Sequence, residues 1–303
     1  MTLQQIAHYL QGFVIQNIQD SKITNLLLDS RNIFSAHHSL FFAIKGIQHD
    51  GHDFMEELIQ KGVNQFVIEK NSNVDTKLKA NFILVENSTI ALQKLATHHR
   101  NQFDYPVIAI TGSNGKTIVK EWLAQLLSST FNVVKSPKSY NSQIGVPLSI
   151  WEMNQNHELA IFEAGISQVN EMQKLQQMIQ PTIGILTNLG TAHAGGFQNK
   201  EHKLTEKLLL FKDCEILVHS LNDPWVNQQL KKYSFSTFSW GNSPKATVWV
   251  QSLDYHQNKT LITYQYQQNI YRITLPFTDK ASIENGLHCL STLLCLGVEI
   301  VQK

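Results

Sequence analysis

Thr111-Gly112-Ser113-Asn114-Gly115-Lys116-Thr117 combines two glycines, a lysine and a hydroxyl at the spacing of a phosphate-binding loop. An apolar run, Val107 to Ile110, leads into it, and Val119, Trp122, Leu123, Leu126 and Leu127 follow at helical spacing. Strand, glycine loop and helix together form a phosphate cradle. Backbone N–H groups converge at a helix N-terminus, Lys116 offers a cation to β- and γ-phosphates, and the Thr117 hydroxyl can ligate Mg²⁺. The expected ligand is a nucleoside triphosphate. Only two residues separate Gly112 from Gly115, and Ile110 stands where the commoner pattern has its first glycine, so the loop is a variant.

The elements that must position this loop follow from periodicity. The strand candidates Ala160–Glu163, Gly184–Thr187 and Ile216–His219 alternate with helical stretches, the rhythm of a mostly parallel, doubly wound sheet. Glu163 closes one of these strands, at the sheet edge where open α/β folds bind ligands. It reads either as a Mg²⁺ ligand or as a solvated strand end. The next strand runs into a polar, glycine-rich segment from Asn188 to Phe197, in which His193 is either a metal ligand or a partner of a backbone carbonyl. Alternation over residues 247–253, 261–266 and 270–275 predicts an antiparallel ribbon, and 282–296 a last helix. Upstream, 2–11, 52–61 and 90–98 read as helices and 39–44, 65–68 and 82–85 as strands, with a domain boundary near residue 104, before Pro106. His37-His38 and His98-His99 read as surface pairs.

Composition narrows the function classes. With 303 residues, 42% of them hydrophobic, the chain can bury two α/β cores. Its 25 basic and 24 acidic residues leave a net charge of +1, and no basic tract with interleaved aromatics favours nucleic acid or a membrane surface. No secretion signal or membrane span is legible, so the cytoplasm is the expected compartment. Cys214, Cys289 and Cys295 lack metal or redox spacing and read as reduced core thiols.

These pieces resemble the Mur ligases, ATP-dependent amide-forming enzymes of peptidoglycan synthesis, over essentially the whole chain. Residues 111–117 are similar to that family's TG(S/T)NGKT loop, and residues 141–148 to its NNxIGVPL segment, with Ser142 in place of the second asparagine. Glu163-Ala164-Gly165 resembles its Mg²⁺-binding E-x-G, and Asn188 to His193 its N-x-G-x-A-H, whose histidine binds a second Mg²⁺. The resemblance puts a lysine carbamylated by CO₂ at Lys207 and an adenine contact at Asn285, although the family's preceding His-Asn pair is Ala281-Ser282 here. Asp29-Ser30-Arg31, the run from Leu40 to Lys45-Gly46 and Asp50-Gly51-His52 are similar to the UDP-sugar module of the type that adds D-alanyl-D-alanine. Phrases such as 137–143 and 206–211 are closest to bifunctional forms with an appended racemase, a segment not present in this sequence.

What the resemblance implies is concrete. The fold is a small N-terminal α/β UDP-binding domain, residues 1–103, followed by a P-loop, doubly wound ATPase domain with its antiparallel ribbon, residues 104–303. The partners are UDP-N-acetylmuramoyl-tripeptide, D-alanyl-D-alanine, ATP and two Mg²⁺. Residues 111–117 and Asn285 hold nucleotide; Ser30, Arg31, Lys45, Gly46, Asn141 and Asn188 meet substrate; Thr117, Glu163, His193 and carbamylated Lys207 bind metal, with Lys116, Glu163, His193 and Lys207 catalytic. The family has a third domain, so this chain is expected to be the first two domains of a longer enzyme, to bind UDP-substrate and to ligate poorly by itself. A folylpolyglutamate-synthase-like ligase and a non-catalytic nucleotide-binding module are the alternatives.

Overall fold

The computed structural model describes residues 1–31, 33, 35–75, 77–190 and 197–300. These divide into two compact units, Met1–Gln102 with Ile150–Glu152, and Phe103–Ser149 with Met153–Lys303. Among the described residues, no helix is long and apolar enough to cross a membrane.

The first unit is a five-stranded sheet. Strands β2 (Asn25–Leu27), β3 (Ser39–Phe42), β4 (Gln65–Glu69) and β5 (Asn81–Val85) are parallel, and β1 (Phe13–Gln16) pairs antiparallel with β5 in the order β1-β5-β4-β3-β2. Successive side chains point to opposite faces, and both faces are covered. Leu40, Phe42, Val67 and Ile83 join helices α1 (Leu3–Leu10) and α3 (Ser88–Arg100) in one core. Phe41, Phe66, Ile68 and Phe82 join Met55 and Leu58 of α2 (Met55–Gln60) in another. The continuous apolar runs in the sequence have this cause. His37 and His38 are exposed as expected, whereas His98 and His99 are half-buried, His98 stacked 3.5 Å from Tyr9 and His99 centred 4.6 Å from Trp151. Aromatic neighbours from elsewhere in the chain cover this pair.

The second unit has nine strands, ordered β14-β13-β12-β11-β10-β9-β6-β8-β7. From β7 (Val133–Lys135) through β8 (Leu159–Glu163), β6 (Val107–Thr111), β9 (Ile183–Leu186), β10 (Ile216–Ser220) and β11 (Ser236–Gly241) to β12 (Val248–His256), every pair is parallel. The expected ribbon is β12, β13 (Lys259–Tyr266) and β14 (Asn269–Leu275), both pairs antiparallel. Strand β6 leads on one side to β8 and β7, on the other to β9 and β10. The phosphate-loop strand is therefore the topological switch point, where a crevice opens beyond the carboxyl ends of the strands.

Helix α4 (Lys116–Leu127) follows the loop and packs Val119, Leu123 and Leu127 into a core shared with Ile108, Ile110, Ile161 and α9 (Lys280–Cys295). Its buried stripe differs from the sequence reading at two positions. Leu126 is half exposed at 48%, and Lys120 is fully buried in the stripe. Cys214 and Cys289 are core thiols, with burial raising the Cys214 thiol to about 12 and Cys289 higher still, while Cys295 is half-buried. Gly184 in β9 allows the Phe211 ring to lie against the strand, since an added Cβ would stand 2.4 Å from a ring carbon. Replacing Gly184 with Ala is expected to destabilise the second unit by about 1–3 kcal/mol, the usual cost of overpacking, read as a lower urea midpoint.

Candidate functional site

The site is built on the turn out of β6. The Thr111 hydroxyl donates to Ala164 O at 2.8 Å, tying the end of β6 to the turn after β8. On the other side, Thr187 Oγ1 donates to Asn114 O at 2.6 Å, Ser113 N donates to Asn188 O at 2.9 Å and Asn114 N to Asn188 Oδ1 at 3.1 Å. Two glycines make this approach possible. A Cβ on Gly112 would lie 1.9 Å from Thr187 Oγ1, and one on Gly115, at φ +84°, would lie 2.3 Å from Asn285 Oδ1. Asn285, the adenine contact of the sequence reading, is buried against the loop. Gly115 caps α4 with no side-chain hydrogen bond, which leaves the first turn's N–H groups directed at the crevice.

Cationic groups gather on the same loop. Lys116 Nζ donates to Gly112 O at 3.1 Å and reaches Ser113 O at 3.5 Å. Lys207, on α7 (Lys200–Leu208), is buried and donates to the same Gly112 carbonyl at 3.1 Å. Lys203, one turn earlier, is also buried and donates to Gly190 O at 3.0 Å. Burial lowers the Lys116 amine, with Glu163 opposing and Lys203 adding to the effect. Burial, then Lys116 and Lys203, brings Lys207 down to about 7.

The acidic side of the crevice is Glu163, fully buried at the end of β8. Thr117 Oγ1 donates to its Oε2 at 3.1 Å, Asn141 Nδ2 reaches the same oxygen at 3.5 Å, and Ser139 Oγ lies 3.3 Å from Thr117 Oγ1. Oε1 stands 3.0 Å from Lys120 Nζ and receives no aligned hydrogen bond. An under-satisfied buried carboxylate beside a hydroxyl suits a hard divalent cation. Among the described residues no group of three or more His, Cys, Asp and Glu could hold a metal, so such an ion would draw further oxygens from a phosphate ligand.

Gly112, Lys116, Thr117, Asn141, Glu163, Asn188, Lys207 and Asn285 thus lie around one loop. His193 lies outside the described residues. Ser142, standing where the resembled motif has asparagine, accepts a hydrogen bond from Gly145 N at 3.2 Å at the start of α5 (Gly145–Trp151), a role an asparagine side chain also fills. The remaining candidates are in the first unit. Arg31 is exposed and bonded to Asp29, at 2.6 Å in its shortest contact, and this pairing lowers the Asp29 carboxyl to about 2. Ser30 O accepts from Lys61 Nζ at 3.1 Å. Lys45 and Asp50 form an isolated antiparallel backbone β-bridge, and Gly46 N donates to His49 O at 2.9 Å, closing an exposed turn.

The phosphate-loop region falls within residues 110–293, which match the Mur ligase middle domain, and residues 22–129 match the catalytic domain of the Mur ligase family. The chain belongs to the Mur ligase family. It is similar to the UDP-N-acetylmuramoyl-tripeptide--D-alanyl-D-alanine ligase of Borreliella burgdorferi, 34% identical over 89% of this chain and 60% of that protein. Among solved structures it resembles MurF of Acinetobacter baumannii, with TM-score 0.86, 23% identity and coverage of 98% of this chain and 65% of that one. MurF ligase of Thermotoga maritima in complex with ADP gives TM-score 0.80 and 26% identity over 91% of this chain and 64% of that one. The chain spans between about two-fifths and two-thirds of the length of the curated relatives it matches first.

Four residues of this Mur ligase site were missed in the sequence reading: Lys120, Thr187, Lys203 and His288. A lysine inside the apolar stripe of α4 was the available signal for Lys120. His288, wholly buried in α9, accepts from Trp240 Nε1 at Nδ1 (3.2 Å) and donates from Nε2 to Thr187 O at 2.8 Å, bracing the strand end that meets Gly112. Burial lowers its pKa from 6.5 to about 4. The unfolded chain therefore binds this proton first on acidification, so the contribution of neutral His288 is complete above pH 6.5 and falls by about 1.4 kcal/mol per unit toward pH 4. Wild-type thermal midpoints are expected to drop across that window more steeply than those of H288L, which is less stable at neutral pH.

Proposed function

We propose that this chain acts in peptidoglycan precursor synthesis as an ATP-dependent, ADP-forming ligase that adds D-alanyl-D-alanine to UDP-N-acetylmuramoyl-tripeptide. The observation that carries the reading is the convergence of Lys116, Thr117, Glu163 and Lys207 on the turn at Gly112, at the switch point of the sheet. We assign the first unit, through Ser30, Arg31, Lys45 and Gly46, to the UDP-sugar and the second to ATP. The setting we infer is the cytoplasm.

Joining a carboxylate to an amine in water is uphill, so the tripeptide carboxylate is first phosphorylated by ATP. The amine of D-alanyl-D-alanine then displaces phosphate through a tetrahedral intermediate, losing a proton as the amide forms. The residues here serve the first step. The uncapped start of α4 and the loop N–H groups receive phosphate oxygens, and Lys116 shifts from Gly112 O to the β- and γ-phosphates, offsetting charge as the carboxylate approaches. Thr117 and Glu163 would hold one Mg²⁺, and His193 with carbamylated Lys207 a second. Bound there, such ions would supply screening of the meeting anions and polarisation of the transferred phosphoryl group. We assign Asn141, beside Glu163, to the transferred group; Asn188 holds the loop shape, and Asn285, packed against Gly115, we assign to the nucleotide. We seat the base in the adjoining cavity of about 420 Å³, bordered by Asn114, His219, Lys280 and Glu284.

Carbamylation of Lys207 has a physical basis in its surroundings. An amine must be neutral to attack CO₂, and burial beside two other lysines brings it to about 7. The reaction releases a proton and converts a cation that repels Mg²⁺ into an oxygen-donor anion. With ¹³C-bicarbonate, the protein is expected to show a carbamate carbonyl resonance that K207R lacks.

Ligand choice tests the function. UDP-N-acetylmuramoyl-tripeptide and Mg²⁺–ATP, each at 100 times its dissociation constant, are expected to stabilise the chain by about 2.7 kcal/mol, folates not at all. K116M is expected to lose the ATP shift and keep the UDP-sugar shift. Stabilisation by folates but not by UDP-sugars would overturn the assignment.

A further inference from the structure

We propose that Lys120 is a built-in counter-ion of Glu163, a positioning residue that holds this carboxylate against a divalent cation until a nucleotide polyphosphate brings the ion in. The proposal rests on the reading of Glu163 as a metal ligand.

Lys120 lies one helical turn beyond Lys116, and neither its side chain nor that of Glu163 is exposed to solvent. Its ammonium donates to Ser136 O at 2.8 Å and to Lys138 O, and stands 3.1 Å from Glu121 Oε1. Two of its three donors are thereby used, and the third proton has two carboxylate oxygens near it, Glu121 Oε1 and Glu163 Oε1. Glu163 Oε1, 3.0 Å away, is faced by the positive charge without an aligned hydrogen bond of its own. The other carboxylate oxygen, Oε2, is turned to Thr117 and Asn141.

Two consequences follow from this placement. A carboxylate with no exposed surface needs a compensating charge to remain ionised and folded, and Lys120 is the cation in contact with it. The same compensation leaves the Glu163–Lys120 pair with no net charge, so a bare divalent ion approaching Oε2 meets a positive charge on the far side of the same carboxylate. An ion already carrying phosphate oxygens brings negative charge of its own and escapes that penalty. Lys120 also reaches both carbonyls flanking Pro137, and the segment beyond carries Ser139 and Asn141 to Thr117 and Glu163. One ammonium thus sets the carboxylate and the strap beside it, and makes metal binding depend on nucleotide.

Mn²⁺ titrations followed by electron paramagnetic resonance, without nucleotide and with ADP, test this on the chain as it stands. Wild type is expected to bind Mn²⁺ weakly alone and well with ADP. K120M should bind Mn²⁺ alone about tenfold tighter or more, and Mn²⁺ should raise its thermal midpoint further than it raises that of wild type. K120R, which restores the charge, should return both readouts toward wild type, a rescue that lost packing alone would not give. If K120M does not fold, K120Q, which keeps a donor for Ser136 O, carries the same expectation. Unchanged affinity for Mn²⁺ alone in the folded neutral variant, with E163Q losing the ADP-dependent binding, overturns the proposal and leaves Glu163 as a ligand. Undiminished Mn²⁺–ADP binding by E163Q overturns the reading of Glu163, and the proposal with it.

Discussion

Backbone proximity at Gly112 is the constraint on which the rest of the second unit's chemistry depends. Thr187 occupies the space a side chain would need there, and the carbonyl of Gly112 accepts hydrogen bonds from both Lys116 and Lys207. Sheet edge, phosphate loop and a distant helix are thereby gathered within reach of one peptide unit. The bonds from Asn114 and Ser113 to the segment after β9 keep the turn open toward the crevice. Any residue other than glycine would collide with Thr187 and Asn188 and push that segment away from the loop.

Charge is distributed around this turn in a way that an anionic ligand completes. Three amines lie on one side, all with lowered affinity for protons, since burial disfavours their charged forms and, for Lys116 and Lys207, neighbouring lysines add to the effect. On the other side is a single buried carboxylate, already faced by a fourth lysine. The two halves suit different parts of one ligand: the amines its phosphate oxygens, the carboxylate and the Thr117 hydroxyl a metal that accompanies them. This arrangement lies within the segment that matches the Mur ligase middle domain, and it is the basis of the nucleotide site proposed above.

Much of this was legible beforehand because it is local. The strand runs into the 111–117 loop, the helix after it, the strand ending at Glu163 and the three-stranded ribbon each leave their pattern within a short window, and all appear in the fold. The short strands β1, β2, β7 and β11 were not identified. Three of them have only three or four residues, too few to carry a period, and β11, though six residues long, mixes polar and apolar side chains; pairing with a neighbouring strand stabilises each. Likewise, Leu126 fits the apolar spacing of α4 yet is half exposed, while Lys120 is buried because an acceptor waits for it on another element.

By itself, the order of residues determined the two α/β units, the phosphate-binding character of one loop, the strand-end carboxylate and the family they resemble, since each is written in contiguous residues governed by backbone sterics and side-chain period. Tertiary structure alone decided which amines share the Gly112 carbonyl, that Lys120 faces Glu163 and that His288 braces Thr187. Those contacts join residues up to about a hundred positions apart, and the energy of a buried charge or imidazole depends on what surrounds it in space, which no local pattern encodes.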